Sequence, residues 1–154
     1  MITIVRCKTP HALFVLKHLR KEDREEWAFF QPFVSEGCML HEIMRATYCY
    51  AVLNDGVPCC IFGVSPTPPG VFGSSGFSGI PGSIWMLSTD GVKKVFRYIY
   101  KSVPVYLRNF FETFDVLHNR LDVEHQPVTH KWLKRLGFEF TGQLFSFYKK
   151  SYGV

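Results

Sequence analysis

The sequence contains no stretch that approaches the roughly 20 consecutive apolar residues needed to span a bilayer, and residues 1–8 lack the charged-then-apolar pattern of a signal peptide. Its 5 cysteines include no CxxC pair, and its 6 histidines show no HxxH or HExxH spacing. No glycine-rich segment ends in the Gly-Lys-Ser/Thr of a P-loop. These absences predict a soluble intracellular protein that binds no metal ion and is not a P-loop nucleotide hydrolase.

The length and composition are those of one globular domain. A chain of 154 residues can bury a hydrophobic core without disulfide or metal staples. Hydrophobic residues make up 47% and charged residues 20% of the chain, which excludes wholesale disorder. The aromatic share of 16% indicates a dense core, some of whose rings could instead face a partner. The odd number of cysteines predicts buried, reduced thiols without a catalytic role: Cys7, Cys38, Cys49, Cys59 and Cys60.

The net charge of +5 lies entirely in the second half of the chain. Residues 1–77 carry 7 basic and 7 acidic side chains, whereas residues 78–154 carry 11 and 6. Such a basic half suits a phosphate-bearing ligand, nucleic acid or an acidic protein, and it is equally compatible with an ordinary solvated surface. Lys93, Arg97 and Lys101 share one helical stripe. Without a recognisable reading motif, this stripe predicts at most weak, salt-sensitive nucleic-acid binding, with a solvated stripe as the alternative.

Periodicity predicts alternating helices and strands in the first half of the chain. Asp55-Gly56 between two β-rich runs is a strong hairpin signal. Thr9 before Pro10 predicts a helix N-cap. The predicted elements are a strand at Ile2–Arg6, helices after Thr9, near Asp23 and over 39–46, and strands over 48–53 and 57–64.

A Gly/Pro-rich segment over 66–82 predicts a surface loop. After it we expect a strand over 83–88, a helix over 92–114 that Pro104 kinks or divides, a strand over 116–123, a helix over 127–136 ended by Gly137, and a hairpin of 138–141 with 144–149. This order predicts one α/β (α+β) domain, residues 1–154, built on a mixed, mostly antiparallel sheet of six to seven strands with about four helices.

Four features, the order of the elements, the Asp55-Gly56 hairpin, the strand-turn-helix over 84–100 and the last helix leading into 132–138, resemble the GCN5-related N-acetyltransferase (GNAT) fold. More narrowly, the sequence resembles the acetyltransferase-like proteins of short-tailed bacteriophages (podoviruses), a group that includes an internal virion protein. The matching segments span most of the chain, and each is short: Leu19–Glu26, Asn54–Pro58 leading to Phe62–Val64, Ile84–Asp90, and Trp132–Phe138.

The resemblance implies acetyl-CoA as a cofactor. In active members the pantetheine arm pairs with free backbone groups of the fourth strand, where it splays from the fifth, and the pyrophosphate lies on N–H groups at the start of the next helix. The implied cofactor-binding residues are Met86, Leu87, Ser88, Gly91, Val92, Lys93 and Lys94. The turn departs from the Arg/Gln-x-x-Gly-x-Gly/Ala pattern of active members. Asp90 within it would repel pyrophosphate if it faced inward, unless the two lysines offset it, or it is simply the N-cap of the helix.

The sequence lacks one catalytic residue that the resemblance implies, the general-acid tyrosine, and offers several candidates for the general base. Leu133 stands where many members have the tyrosine that protonates the departing thiolate, and Tyr148 or Tyr152 would have to replace it. Candidates for the general base are Glu124 and His125, with His118, His41 and Glu42 as further candidates, and each has a solvated, non-catalytic alternative.

Two functions are therefore consistent with the sequence. The first is N-acetyl transfer from acetyl-CoA to an amine of a phage or host protein. The second is a non-catalytic virion or assembly protein that uses the GNAT fold as an interaction scaffold. Either function would place the protein in the host cytoplasm, and the second would also place it in the virion.

Overall fold

The computed structural model describes residues 1–30, 35–68 and 79–152, which form a mixed α/β fold. The strands are β1 (Ile2–Arg6), β2 (Tyr48–Asn54), β3 (Val57–Pro66), β4 (Pro81–Ser88), β5 (Val116–Arg120), β6 (Glu139–Thr141) and β7 (Leu144–Tyr148). The helices are α1 (Thr9–Lys17), α2 (Lys21–Phe30), α3 (Glu36–Met44), α4 (Val92–Phe111), α5 (Pro127–Leu136) and α6 (Lys149–Tyr152).

The seven strands are ordered β1-β2-β3-β4-β5-β7-β6 in one sheet. β4 and β5 are parallel, whereas β1 with β2, β5 with β7 and β6 with β7 are antiparallel. The predicted fold class is confirmed. No helix in the described part of the chain is long and apolar enough to cross a membrane.

The chain divides into two compact units. The N-terminal unit contains Met1–Gly63 and Trp85–Val103, and the C-terminal unit contains Val64–Ile84 and Pro104–Val154. In the N-terminal unit, the apolar side chains of α1 recur at helical spacing, and a further apolar side chain follows just after this helix. They pack with side chains of α3, β2 and β3 into one core. Its buried members include Ala12, Val15, Leu16, Leu19, Ile43, Ala51 and Ile61.

The β2–β3 hairpin forms as predicted. Asp55 and Gly56 have φ angles of 49° and 82°, and positive φ at both central residues is the requirement of the type I′ turn that Asp-Gly favours. The terminal ammonium of Met1 pairs with the Asp55 carboxylate, and the Asp55 N–H donates to the Met1 carbonyl at 2.9 Å. The turn is thereby tied to the start of β1.

Three local predictions need correction. The N-cap of α1 is Lys8, not Thr9, because the ring of His11 reaches back to accept the Lys8 N–H at 3.1 Å. α4 continues through Pro104, so of the two predicted effects, a kink or a division of the helix, the division is wrong. Strands also extend into the predicted 66–82 loop, since β3 ends at Pro66 and β4 begins at Pro81. Between these strands, residues 69–78 lie outside the described residues.

The five cysteines are free, but they do not share one environment. Cys7, Cys59 and Cys60 are buried as predicted, and burial raises the pKa of both Cys59 and Cys60. Cys38 is exposed on α3, contrary to the prediction, because its position falls on the solvent side of that short helix. We expect Cys38 to react first with a thiol reagent, before any denaturant is added.

The C-terminal unit is built on an aromatic cluster around Phe147. Its ring meets Phe111, Phe138 and Tyr152 edge to face, with centroids 5.6, 5.2 and 5.5 Å away. Gly137, the predicted terminator of α5, has φ of 113° and lies against the same ring. The dense core expected from the aromatic content is present in this unit.

Replacing Gly137 with alanine should destabilise the protein by about 1–3 kcal/mol. A Cβ at this position would lie 2.8 Å from the Phe147 ring, and the left-handed backbone also disfavours it. Urea unfolding measures the change. Gly142→Ala is the matched control, because its φ is also positive, at 63°, but a Cβ there would meet nothing within 4 Å. Equal losses in the two variants would show that the contact with Phe147 contributes nothing.

Candidate functional site

The end of β4, where the resemblance places the cofactor, is held by the chain itself. The Thr89 N–H donates to Cys59 on β3 at 2.9 Å. Successive residues of a strand direct their backbone groups to opposite edges, so Ser88 faces the edge of β4 opposite β3. There the Ser88 N–H donates to Asp23 Oδ2 at 2.8 Å, and its carbonyl accepts the Arg20 N–H at 2.9 Å. Both backbone groups of Ser88 are occupied.

The segment that covers Ser88, residues 19–23, is fixed by a buried ion pair. Arg20 contacts Asp23 through Nε and Nη2 at 2.9 and 3.0 Å, and their side chains are only 15% and 6% exposed. Burial raises the pKa of Asp23 above its usual range, against the opposing effects of Arg20 and the Ser88 N–H. Arg24 adds a bond from Nη2 to the Leu19 carbonyl at 2.8 Å. These bonds hold residues 19–23 in a defined conformation over Ser88.

The turn from β4 to α4 also satisfies its own donors. The Gly91 N–H donates to Thr89 Oγ1 at 3.1 Å, and the Val92 N–H donates to the Thr89 carbonyl at 3.1 Å. The Lys94 N–H donates to the Gly91 carbonyl at 3.1 Å. The side-chain oxygen that accepts an N–H just before this helix is Thr89 Oγ1, and among the described residues the Asp90 carboxylate accepts no N–H of the turn. Three N–H groups that could hold a pyrophosphate, those of Gly91, Val92 and Lys94, already have partners within the turn.

The other implied cofactor residues lie on β4 and α4 without forming a phosphate cradle. Met86 and Leu87 are half-buried, and Leu87 packs against the core of the N-terminal unit. Lys93 and Lys94 are exposed, as is Asp90. A bound pyrophosphate would have to displace the turn's own bonds beside a carboxylate. In this conformation, the residues at the end of β4 do not fit acetyl-CoA.

A groove of about 480 Å³ lies beside this turn within the N-terminal unit. Its wall contains Asp90 and Gly91 of the turn, Val57 and Pro58 of β3, and the stacked rings of Phe14 and His18, whose centroids are 4.2 Å apart. Arg24 also lines this space, so its wall carries one carboxylate and one guanidinium, and their charges together favour neither an anionic nor a cationic ligand.

The two predicted base candidates differ. Glu124 is exposed and makes no hydrogen bond or ion pair with the described residues. His125 is held by Asp122, with Nδ1 2.7 Å from Oδ2, and their side chains are 70% and 11% exposed. A buried carboxylate thus orients an exposed imidazole, the arrangement of a base that acts on an external proton. Sequence reasoning missed Asp122, although its i,i+3 spacing from His125 was a readable signal.

Among the further catalytic candidates, Tyr152 has a structural contact, and His41 and Glu42 are solvated. Tyr152 donates its hydroxyl to the Pro104 carbonyl at 2.8 Å, and Leu133 is buried on α5. His41 and Glu42 are exposed on α3, where Glu42 pairs with Arg45 at 3.8 Å. Among the described residues, no group of three or more His, Cys, Asp or Glu side chains could hold a metal ion.

His118 lies in a second polar cluster, in the C-terminal unit. β4 and β5 pair over three positions, the last being Ser83 with His118. Thr67 Oγ1 lies 2.6 Å from His118 Nε2 and 3.0 Å from Ser83 Oγ. One position further on, the Asn119 side-chain amide donates to the Ile84 carbonyl at 2.5 Å, in place of a strand-to-strand bond. The His118 imidazole is buried beside the Thr67 hydroxyl, which also contacts the hydroxyl of Ser83.

Burial lowers the pKa of His118, which predicts a pH dependence of stability. Because the unfolded chain holds the His118 proton more readily, folding stability should fall as the pH drops below the ordinary histidine value of about 6.5. Urea unfolding at neutral and mildly acidic pH measures this loss. His118→Asn should show a smaller loss over the same range, and an unchanged loss would contradict the assignment.

No protein-family model and no curated protein matches the chain. Solved structures do. A GCN5-related N-acetyltransferase from Kribbella flavida aligns with a TM-score of 0.67 at 12% identity, over 96% of this chain and 97% of that one. The PaiA N-acetyltransferase of Thermoplasma acidophilum, in complex with coenzyme A, aligns at 0.62 and 10% identity over 95% and 96%.

The aminoglycoside acetyltransferase AAC(6′)-Ib, in complex with ribostamycin and coenzyme A, aligns with a TM-score of 0.70 at 10% identity, over 99% of this chain and 96% of that one. These likenesses cover nearly whole chains in both directions. At such low identity they establish the fold and leave the activity open. The chain has the fold of the GNAT acetyltransferases.

Proposed function

We propose that this chain is an acetyltransferase-like protein of a short-tailed bacteriophage, which uses the GNAT fold as a non-catalytic scaffold in the virion or during its assembly. The phage origin rests on the sequence segments that resemble that group. The non-catalytic role rests on one observation, the capture of both Ser88 backbone groups by Arg20 and Asp23. Its partners would be phage structural proteins or host proteins, met in the host cytoplasm.

The physical reason is competition for backbone groups. A pantetheine amide would have to displace the Asp23 carboxylate from the Ser88 N–H, and a charge-assisted bond to a carboxylate is stronger than a neutral one. Displacement would also strip Asp23 of one partner in a site where it is 5% exposed. Acetyl-CoA binding would therefore carry a free-energy cost that is absent from an enzyme in which this edge of β4 is open.

Quantitative mass spectrometry of purified virions and assembly intermediates tests the scaffold function. We expect the protein at a fixed copy number per particle in at least one of these fractions. Its absence from both, with the protein present in the infected cell, would contradict the proposal.

A second candidate function is N-acetyl transfer from acetyl-CoA to an amine, which the Asp122–His125 pair favours. His125 would take the proton of the acceptor ammonium, and Asp122 would orient its ring. Such a base contributes about 100-fold or more, so His125→Gln should abolish most transfer of labelled acetyl groups to polyamines or lysine peptides. Glu124→Gln, the neighbouring exposed control, should not. No transfer by the unmodified protein would end this candidate.

A further inference from the structure

The first part of α4, residues 92–103, presents an exposed face that carries only positive charge. Lys93, Lys94, Arg97 and Lys101 are all exposed. The whole helix, Val92–Phe111, contains no acidic residue. We call these four side chains the α4 basic face.

The helical geometry concentrates these charges. At about 100° per residue, the four cations fall within an arc of about 100°, and the buried Val95 and Ile99 lie opposite. Tyr98 and Tyr100, 40% and 37% exposed, lie just beyond the two borders of this arc.

The cations are also evenly spaced along the helix axis. At the usual rise of 1.5 Å per residue, successive members of the row Lys93, Arg97 and Lys101 are about 6 Å apart. The result is a regular row of cations bordered by aromatic rings.

The charges of this face are not neutralised within the described part of the chain. Two exposed cations elsewhere in that part of the chain do have carboxylate partners, Lys21 with Glu25 and Arg45 with Glu42. None of the four side chains of the α4 basic face forms an ion pair with the described residues. Four like charges held together on one helix repel one another, and an external polyanion would relieve that repulsion.

We propose that the α4 basic face binds the phosphodiester backbone of nucleic acid without reading base sequence. A regular row of cations matches a regularly charged polymer, and the phosphates of a nucleic-acid duplex are spaced regularly along its axis. An acidic protein is favoured less, because a protein partner usually presents mixed charge and this face offers no acidic residue to meet it. This surface is distinct from the covered edge at Ser88, so binding here requires no acetyl-CoA.

Fluorescence anisotropy with the full chain and a labelled mixed-sequence duplex tests the proposal. Four neutralised phosphates predict a slope of about −3.6 in log affinity against log salt, which is a loss of about 150-fold between 50 and 200 mM salt. The triple variant Lys93→Gln, Arg97→Gln and Lys101→Gln should reduce that slope to about −0.9 and weaken binding at least tenfold at 50 mM. A scrambled duplex should bind equally well.

A second triple variant, Lys131→Gln, Lys134→Gln and Arg135→Gln, is the matched control. These exposed residues of α5 carry the same total charge, and their loss should change the affinity by less than about threefold. Circular dichroism and thermal unfolding should show both variants folded. Equal weakening by the two triple variants would overturn the proposal, as would tighter binding to a poly-glutamate chain than to the duplex, or no binding at 50 mM salt.

Discussion

Asp23→Ala is expected to lower the free energy of unfolding by about 3–5 kcal/mol, the usual cost of breaking a buried ion pair from one side. The change leaves the Arg20 guanidinium buried without its bidentate partner and removes the acceptor of the Ser88 N–H. Chemical denaturation with two probes, fluorescence and circular dichroism, measures the loss.

Two further variants separate the loss of the buried ion pair from the loss that any substitution of an acidic residue on α2 would cause. Asp23→Asn keeps one oxygen for the Ser88 N–H and should lose less than the alanine variant. Glu25→Ala removes the exposed partner of Lys21, 3.7 Å away on the same helix, and should cost no more than about 0.5 kcal/mol. A loss in Asp23→Ala as small as that in Glu25→Ala would contradict the structural role given to residues 19–23.

Phe147→Ala is expected to destabilise the protein by about 3–5 kcal/mol. Its ring is 7% exposed and meets three other rings edge to face, so its removal leaves a cavity that its neighbours can only partly fill. Because Gly137 packs on the same ring, the end of α5 should loosen as well. Calorimetric unfolding measures the stability, and amide exchange reports on α5.

Leu144→Ala on the same strand is the control for Phe147. Its side chain is 51% exposed, and we expect a change within about 0.5 kcal/mol. If the two variants of β7 lost similar stability, the aromatic cluster would not be the core of the C-terminal unit.

The fold could be predicted because its local signals agree with one another. Asp55-Gly56 favours the turn that forms, Gly137 ends α5 in the left-handed conformation, and alternation at Ile2–Arg6 and β-rich runs at 48–53 and 57–64 marked strands. The failures are equally local. Pro104 costs α4 one backbone bond, which the rest of a 20-residue helix tolerates, and Thr9 lost the N-cap position to Lys8 when His11 supplied the return bond.

The secondary structure around the implied cofactor residues could be predicted, but the contacts that cover Ser88 could not. The segment Met86–Lys94 was correctly placed at the end of β4 and the start of α4. What closes it comes from Arg20 and Asp23, more than 60 residues earlier, and no local pattern links a carboxylate on α2 to the Ser88 N–H. The Thr67–His118 contact spans 51 residues and was missed for the same reason. Such contacts depend on the register of strands, which periodicity does not fix.

Isothermal titration of the full chain with acetyl-CoA tests the central claim most directly, because the claim concerns whether the end of β4 is open to the cofactor. With Ser88 held by Arg20 and Asp23, the account predicts no saturable heat up to about 1 mM ligand, which corresponds to binding weaker than about 4 kcal/mol. Saturable one-to-one binding in the micromolar range would contradict it and would restore N-acetyl transfer as the leading function.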